Sequence, residues 1–344
     1  MWLYLLPLTI AVVFSLSFTP LIKKLAVNLN IVDRPKKIKI HKKPTPLLGG
    51  LAIFLSFTLT TLIFWQLGYI KDVKINDAYI TAILAGGLIL MAGGYFDDRY
   101  NLKPYKQIIF PILAIITILF AGIRVQYITN PLGGILELGL NLGILISFFW
   151  ILGMTYTTKF LDGLDGLAAG ITTIGSIIIF IVSLYWDVPS SGTSILALIL
   201  AGSCLGFLVF NWHPAKIFLG EGGSVFCGFM LGILAIISGS KIATALLIMG
   251  IPILDVLWVI IQRIWHKKSP AKGDRFHLHY RLLEIGFSHQ QAVIFLYLIT
   301  AAFGVTSLFL HSTGKIMALA ILAVFMIILA FSILIIYNKK LNAK

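Results

Sequence analysis

The sequence predicts an all-α fold, a polytopic integral membrane helical bundle, and three observations predict it. Of 344 residues 59% are hydrophobic and only 12% are charged, whereas a soluble domain is nearer half apolar and a quarter charged. The polar residues are clumped between apolar runs of roughly 15–23 residues, which as helix cross a hydrocarbon core of about 30 Å. The basic residues fall on alternate loops, as the positive-inside rule requires.

Hydropathy divides the chain into about eleven transmembrane helices, near 2–22, 47–67, 79–95, 107–123, 140–155, 166–186, 193–210, 225–239, 242–263, 292–310 and 315–337. The opening segment MWLYLLPLTIAVVFSLSFTPLIKK has no basic leader and no A-x-A site, and its charges follow the apolar run. It is therefore expected to be a retained span with its start outside. That choice puts 22 of the 27 Lys and Arg inside, together with the carboxyl terminus. Lys71, Lys74, Arg124, Lys241 and Lys315 are the outer exceptions. The expectation is a single transmembrane domain over 1–344, with cytoplasmic loops at about 23–46, 96–106, 156–165, 211–224 and 264–291. The net charge of +14 then belongs to loops that meet anionic lipid. No soluble basic module exists to carry nucleic acid. Cys204 and Cys227 lie in apolar runs without metal-ligand spacing and imply no disulfide framework.

The acidic residues are one-sided as well. Asp72, Asp77, Glu137 and Asp187 fall outside, while Asp97, Asp98, Asp162, Asp165, Glu221 and Asp274 sit in inner loops or at inner span ends. His41, His213, His266, His277, His279 and His289 share that side. Such segments can converge on one active site at the cytoplasmic membrane face.

Each segment has its own chemistry. In HKKPTPLLGG (41–50) two prolines stiffen a turn whose His41 and Thr45 could grip phosphate, or which merely starts a helix. Asp97 and Asp98 close the third span and repel one another unless a cation intervenes, which suits Mg²⁺. In KFLDGLDGLAAG (159–170) Asp162 and Asp165 share a face if the turn is helical, with Lys159 able to neutralise an Asp or a phosphate. FNWHPAKIFLGEGGSVF (210–226) carries GEGGS immediately before a span, so that Ser224 would cap it, glycine N–H groups would face an anion, and Glu221 would hold the anion's metal. Asp255, inside the ninth span, is either functional or a structural partner of another helix. GDRFHLHYRL (273–282) sets His277 and His279 between arginines, a density that suits a diphosphate or a base; zinc and a lipid-surface stretch are the rivals.

In this order the segments resemble the polyprenyl-phosphate N-acetylhexosamine-1-phosphate transferase superfamily (glycosyltransferase family 4). The family pattern HxxPTPxxGG matches at His41, Pro44, Thr45, Pro46, Gly49 and Gly50. The Asp pair matches Asp97 and Asp98, and DGLDGLAAG matches from Asp162. FN..PA..F.G..GS matches through Phe210, Asn211, Pro214, Ala215, Phe218, Gly220, Gly223 and Ser224, with Pro252, Asp255 and Arg263 also in place. HLHYRL is similar to HIHHRL of the WecA/TagO-like branch, the undecaprenyl-phosphate GlcNAc-1-phosphate transferases, rather than to the peptidoglycan branch. The sequence departs from the pattern at Tyr156 and Lys159 (family NxxN), Glu221 (family Asp), Tyr280 (family His) and Gln107, where a basic residue is usual and Lys106 stands one earlier.

The resemblance implies transfer of a phospho-N-acetylhexosamine from a UDP-sugar to undecaprenyl (polyprenyl) phosphate in the cytoplasmic membrane. UMP would be released in a first step of cell-envelope polysaccharide synthesis. It further implies Mg²⁺ (Mn²⁺ as a substitute) on Glu221 and Asp98, catalysis by Asp97, Asp98, Asp162 and Asp165, and substrate binding by His41, Thr45, Lys159, Asn211, His277, His279 and Arg281. A homodimer is compatible with it. The rivals are a membrane transporter, which would keep its charges near the midplane, and a catalytically altered homologue with another donor.

Overall fold

The computed structural model describes residues 2–35, 43–72, 75–130, 134–186, 191–239, 241–265 and 277–342. Helices dominate them: α1 (Trp2–Asn28), α2 (Gly49–Gln66), α3 (Asp77–Tyr100), α4 (Pro104–Gln107), α5 (Ile109–Phe120), α6 (Leu140–Leu161), α7 (Leu167–Trp186), α8 (Gly192–Asn211), α9 (Gly220–Ile237), α10 (Ile242–Ile248), α11 (Gly250–Trp265), α12 (Leu278–Ile285), α13 (His289–Phe309) and α14 (Ser312–Asn342). Two antiparallel strand pairs, β1 (Val32–Asp33) with β2 (Thr45–Pro46) and β3 (Tyr127–Thr129) with β4 (Ile135–Glu137), tie down loops at opposite ends of the bundle. Nine helices among the described residues are long and apolar enough to cross a membrane. The chain is thus an all-α polytopic membrane protein.

Three boundaries differ from expectation. The third span does not stop before the acidic pair: α3 runs on to Tyr100, so Asp97 and Asp98 are helical. The ninth is broken at Met249, where α10 and α11 meet at 75°; Gly250 and Pro252 follow the break, and both weaken helix continuity. The fourth is a short helical piece, Pro104–Phe120, interrupted after Gln107.

The core is built on α9, 94% of whose most apolar window is buried. It packs on α6, α3 and α2, while α8 holds α1 and α7. Glycine makes this approach feasible. A Cβ on Gly50 would fall on the backbone of Gly223, and one on Gly94 on the backbone of Gly222. With small residues at the seam helix backbones can meet, the chief packing device available where lipid removes the hydrophobic drive. The HKKPTPLLGG segment docks on the same place. Phe218 N–H donates to the Pro46 carbonyl at 2.8 Å, and the N–H groups of Gly49 and Gly50 donate to the carbonyls of Phe218 and Leu219 at 3.0 and 2.7 Å. Donors orphaned at the start of α2 are thereby satisfied by the loop before α9.

Candidate active site

The start of α2, the end of α3, the end of α6, the start of α7, the end of α8 and the start of α9 all lie at one end of the bundle. Between them is a polar cavity of about 380 Å³, lined among others by Asp98, Lys159, Asp162, Asp165 and Glu221. Residues more than a hundred positions apart thus share one wall, as the one-sided acids led us to expect.

The adjacent aspartates have separate jobs. Asp97 Oδ1 accepts from the Leu102 N–H at 2.8 Å and from Gln107 Nε2 at 2.9 Å, so it secures the turn that leaves α3. Asp98 faces the cavity, and its Oδ1 accepts the Glu221 N–H at 3.1 Å. Gly220 has a φ of +76°, and a Cβ there would come within 2.5 Å of Asp98 Oδ2. The glycine is required twice, by its backbone and by the carboxylate it admits.

GEGGS is not a loop. α9 begins at Gly220, and Ser224 lies inside it, its hydroxyl donating to the Glu221 carbonyl at 3.0 Å. Ser224 therefore does not cap the helix, and the glycine run serves helix packing. Glu221 occupies the first turn, where the helix dipole favours a carboxylate. Its Oε1 lies 2.5 Å from Lys159 Nζ.

Asp162 and Asp165 sit in the turn between α6 and α7 rather than on a helix face. Burial, then the negative charges of Glu221 and Asp165, push Asp162 up to about 8. At neutral pH its carboxyl carries a proton and can donate to an anionic phosphate. Asp165 Oδ2 accepts from the Ala215 N–H at 3.1 Å and pairs with His213 Nδ1 at 2.7 Å. Asn211 is buried and accepts from the Gly166 N–H while donating to the Ile217 carbonyl, both at 2.9 Å, so it welds this turn to the loop before α9.

Sequence reasoning treated His277 and His279 as a phosphate grip, but both are buried. His277 Nδ1 is 2.8 Å from Asp255 Oδ2, and Asp255 Oδ1 accepts the Leu278 N–H at 2.8 Å. Asp255 is thus the structural partner of this segment. His279 stacks beside His277 and abuts Gly163, where no Cβ would fit. Burial and the neighbouring His277 push His279 down to about 3. Within 277–280 it is Tyr280 that lines the cavity. Arg281 donates to Gln262 Oε1 at 3.3 Å, and Thr45 is buried in β2. His41 lies outside the described residues.

Beyond this segment is a second cavity of about 460 Å³, apolar, lined by Leu254, Trp258, Met326 and Phe331 with Asp255 and Arg281 at its edge. Sequence reasoning also missed His213 and His289, whose rings stack at 4.0 Å and 13° on the wall of the polar cavity. With Asp165 they form the one group of three potential ligands within 4.8 Å among the described residues. Their face-to-face stacking is ring packing, and His213 is already committed to Asp165. For a divalent cation Asp98 and Glu221 are the better donors. Mg²⁺ takes one or two carboxylates and completes its shell with water and substrate phosphate, and these two oxygen donors share the cavity in which a phosphate would lie.

The family model for glycosyl transferase family 4 matches residues 80–239. The chain is 33% identical to a probable undecaprenyl-phosphate N-acetylglucosaminyl 1-phosphate transferase of Bacillus subtilis, over 92% of this chain and 88% of that one. It is 32% identical to a decaprenyl-phosphate N-acetylglucosaminephosphotransferase of Mycolicibacterium smegmatis, over 91% and 84%. A phospho-N-acetylmuramoyl-pentapeptide-transferase of Anoxybacillus flavithermus is 29% identical, over 88% and 94%. With this breadth of match, and with the family's motif residues gathered at one end of the bundle, the chain belongs to glycosyl transferase family 4, the polyprenyl-phosphate sugar-1-phosphate transferases.

Proposed function

We propose that the protein transfers N-acetylglucosamine 1-phosphate from its UDP ester to undecaprenyl phosphate in the cytoplasmic membrane, releasing UMP as a first step of cell-envelope polysaccharide synthesis. The observation that carries this is the pair of cavities on either side of the His277–Tyr280 segment, one polar and acidic, the other apolar. A water-soluble nucleotide and an isoprenoid chain need such different surfaces within reach of each other. The donor sugar rests on the curated relatives, whose identity is higher to the N-acetylglucosamine enzymes than to the muramoyl one.

In the reaction an oxygen of the lipid phosphate forms a bond to the β-phosphorus of the donor. The bond from that phosphorus to the bridging oxygen breaks, and UMP departs with the oxygen. Phosphoryl transfer rests on positioning and charge stabilisation. Asp98 is the carboxylate placed to orient or deprotonate the lipid phosphate; the need for a base is modest, because a phosphate monoester with a second pKa of about 6 is mostly dianionic at neutral pH. Protonated Asp162 donates to the donor's phosphate, and Lys159 supplies a positive charge. Asp97, Asn211, Asp255, His277 and His279 hold these groups in place. Mg²⁺ on Glu221 and Asp98 would neutralise charge on the diphosphate when bound. The bent pair α10–α11 and the short Pro104–Phe120 helix complete eleven crossings, amino end outside and site in the cytoplasm.

The transporter reading finds no support in the relatives, all of them transferases. The purified protein with Mg²⁺, undecaprenyl phosphate and UDP-N-acetylglucosamine is expected to release UMP. Release from a different UDP-amino sugar alone would move the donor assignment, and none from any would refute the proposal.

A further inference from the structure

Four side chains from three elements meet on the wall of the polar cavity. Lys159, in the last turn of α6, places Nζ 2.5 Å from Glu221 Oε1 on α9 and 2.9 Å from Gln107 Oε1 on α4. One turn back, the Tyr156 ring lies under the same ammonium, 5.4 Å from it. Gln107 cannot turn its amide over freely, because Nε2 is engaged by Asp97 Oδ1 and by the Leu102 carbonyl, both at 2.9 Å. Its oxygen is thereby aimed at Lys159. These four residues are also four of the positions at which the sequence departs from the family pattern. The positive charge missing at 107 stands at 159, and the longer acid at 221 reaches it.

From this geometry we infer that Lys159 is the resident counter-ion of Glu221: it holds the carboxylate until a divalent cation displaces it, and then turns to the donor's diphosphate. The inference rests on the reading that Glu221 binds the cation. An ammonium at 2.5 Å occupies an oxygen that a metal would need, and both side chains are only 17% and 18% exposed, so water screens the pair weakly. Glu221 therefore exchanges one positive partner for another rather than waiting bare beside Asp98 and Asp162. The displaced ammonium, on a flexible four-carbon stem, lies beside the cavity in which a diphosphate offers a stronger partner. Because each ligand frees or rewards the same side chain, cation and nucleotide favour each other's binding, a coupling that is reciprocal.

The test is Mn²⁺ binding to the purified full chain in nanodiscs, read from the free-ion electron paramagnetic resonance signal without nucleotide. Lys159→Gln is expected to bind Mn²⁺ about tenfold more tightly than wild type, the effect of removing a competing charge-assisted partner. Lys159→Arg should stay near wild type, and Glu221→Gln should bind more weakly. Unchanged or weaker affinity in Lys159→Gln, with Glu221→Gln still weakened, would overturn the counter-ion inference alone. Unchanged affinity in Glu221→Gln would overturn the cation reading beneath it as well. A second measurement needs no variant: acylation of Lys159 in the wild type, followed by peptide mass spectrometry, should accelerate as Mn²⁺ is added. A rate indifferent to Mn²⁺ would equally overturn the inference.

Discussion

α9 and α14 are both apolar helices long enough to span a bilayer, and the protein uses them in opposite ways. The most apolar window of α9 is 94% buried and that of α14 only 12%. α9 is rich in glycine and lets α2 and α3 come down to backbone contact, whereas α14 turns Ile321, Ile328 and Phe331 outward. Apolarity alone therefore does not decide which helix is central. Lipid tails are as apolar as leucine, so close packing through small residues selects the core helix. The selected helix is the one that carries Glu221, and rigidity falls where a charged group must be held within a fraction of an ångström of its partners.

The contrast can be broken at its strongest point. Gly50→Ala drives a methyl into the backbone of Gly223, and such overpacking costs about 3 kcal/mol. It should lower the unfolding midpoint sharply and abolish UMP release, as size-exclusion chromatography and thermal unfolding in detergent would reveal. A variant as stable as wild type would mean that the α2–α9 contact is looser than described. Next in size, Glu221→Gln and Asp98→Asn are each expected to slow UMP release about 100-fold or more, the scale of losing one preorganised electrostatic group, with unfolding unaltered. Full activity in both would remove the roles proposed for them.

A third test concerns pH. His279 is held down to about 3 by burial and by His277, against an ordinary value near 6.5. It is neutral in the fold and takes a proton in the unfolded chain below about 6.5, so its contribution to stability is complete above that pH and lost as pH falls toward 3. The wild type should lose stability across this window more steeply than His279→Gln, by up to about 1.4 kcal/mol per pH unit. Equal slopes would mean that His279 is solvated. Smallest of all, Ile328→Ala in α14 should change stability by less than about 0.5 kcal/mol and activity not at all, because the side chain faces outward.

The polar segments were legible because their spacing relative to the apolar runs fixes which end of the bundle they occupy. Asp98, Asp162 and Glu221 were found this way, and they share a wall. Asp97 and Asp98 looked equivalent because adjacent residues differ only in helix rotation, and the rotation of α3 is set by its packing against α5 and α9. GEGGS read as a phosphate loop because glycine admits both a turn and a helix seam. Only the presence of Gly50 and Gly94 opposite it makes the second choice. His213 and His289 carried no signal, being 76 positions apart in chain numbering and joined only where the turn holding Asp165 meets both.

The amino-acid sequence by itself determined the membrane class, the crowding of acids and imidazoles at one end of the spans, and membership of the family, since each depends on composition and order along the chain. Tertiary structure alone decided which aspartate faces the cavity, that the histidines of 277–280 are buried supports, and that Lys159 meets Glu221. Those outcomes depend on how helices apolar on nearly every side are rotated against one another, and hydrophobic periodicity leaves that rotation open.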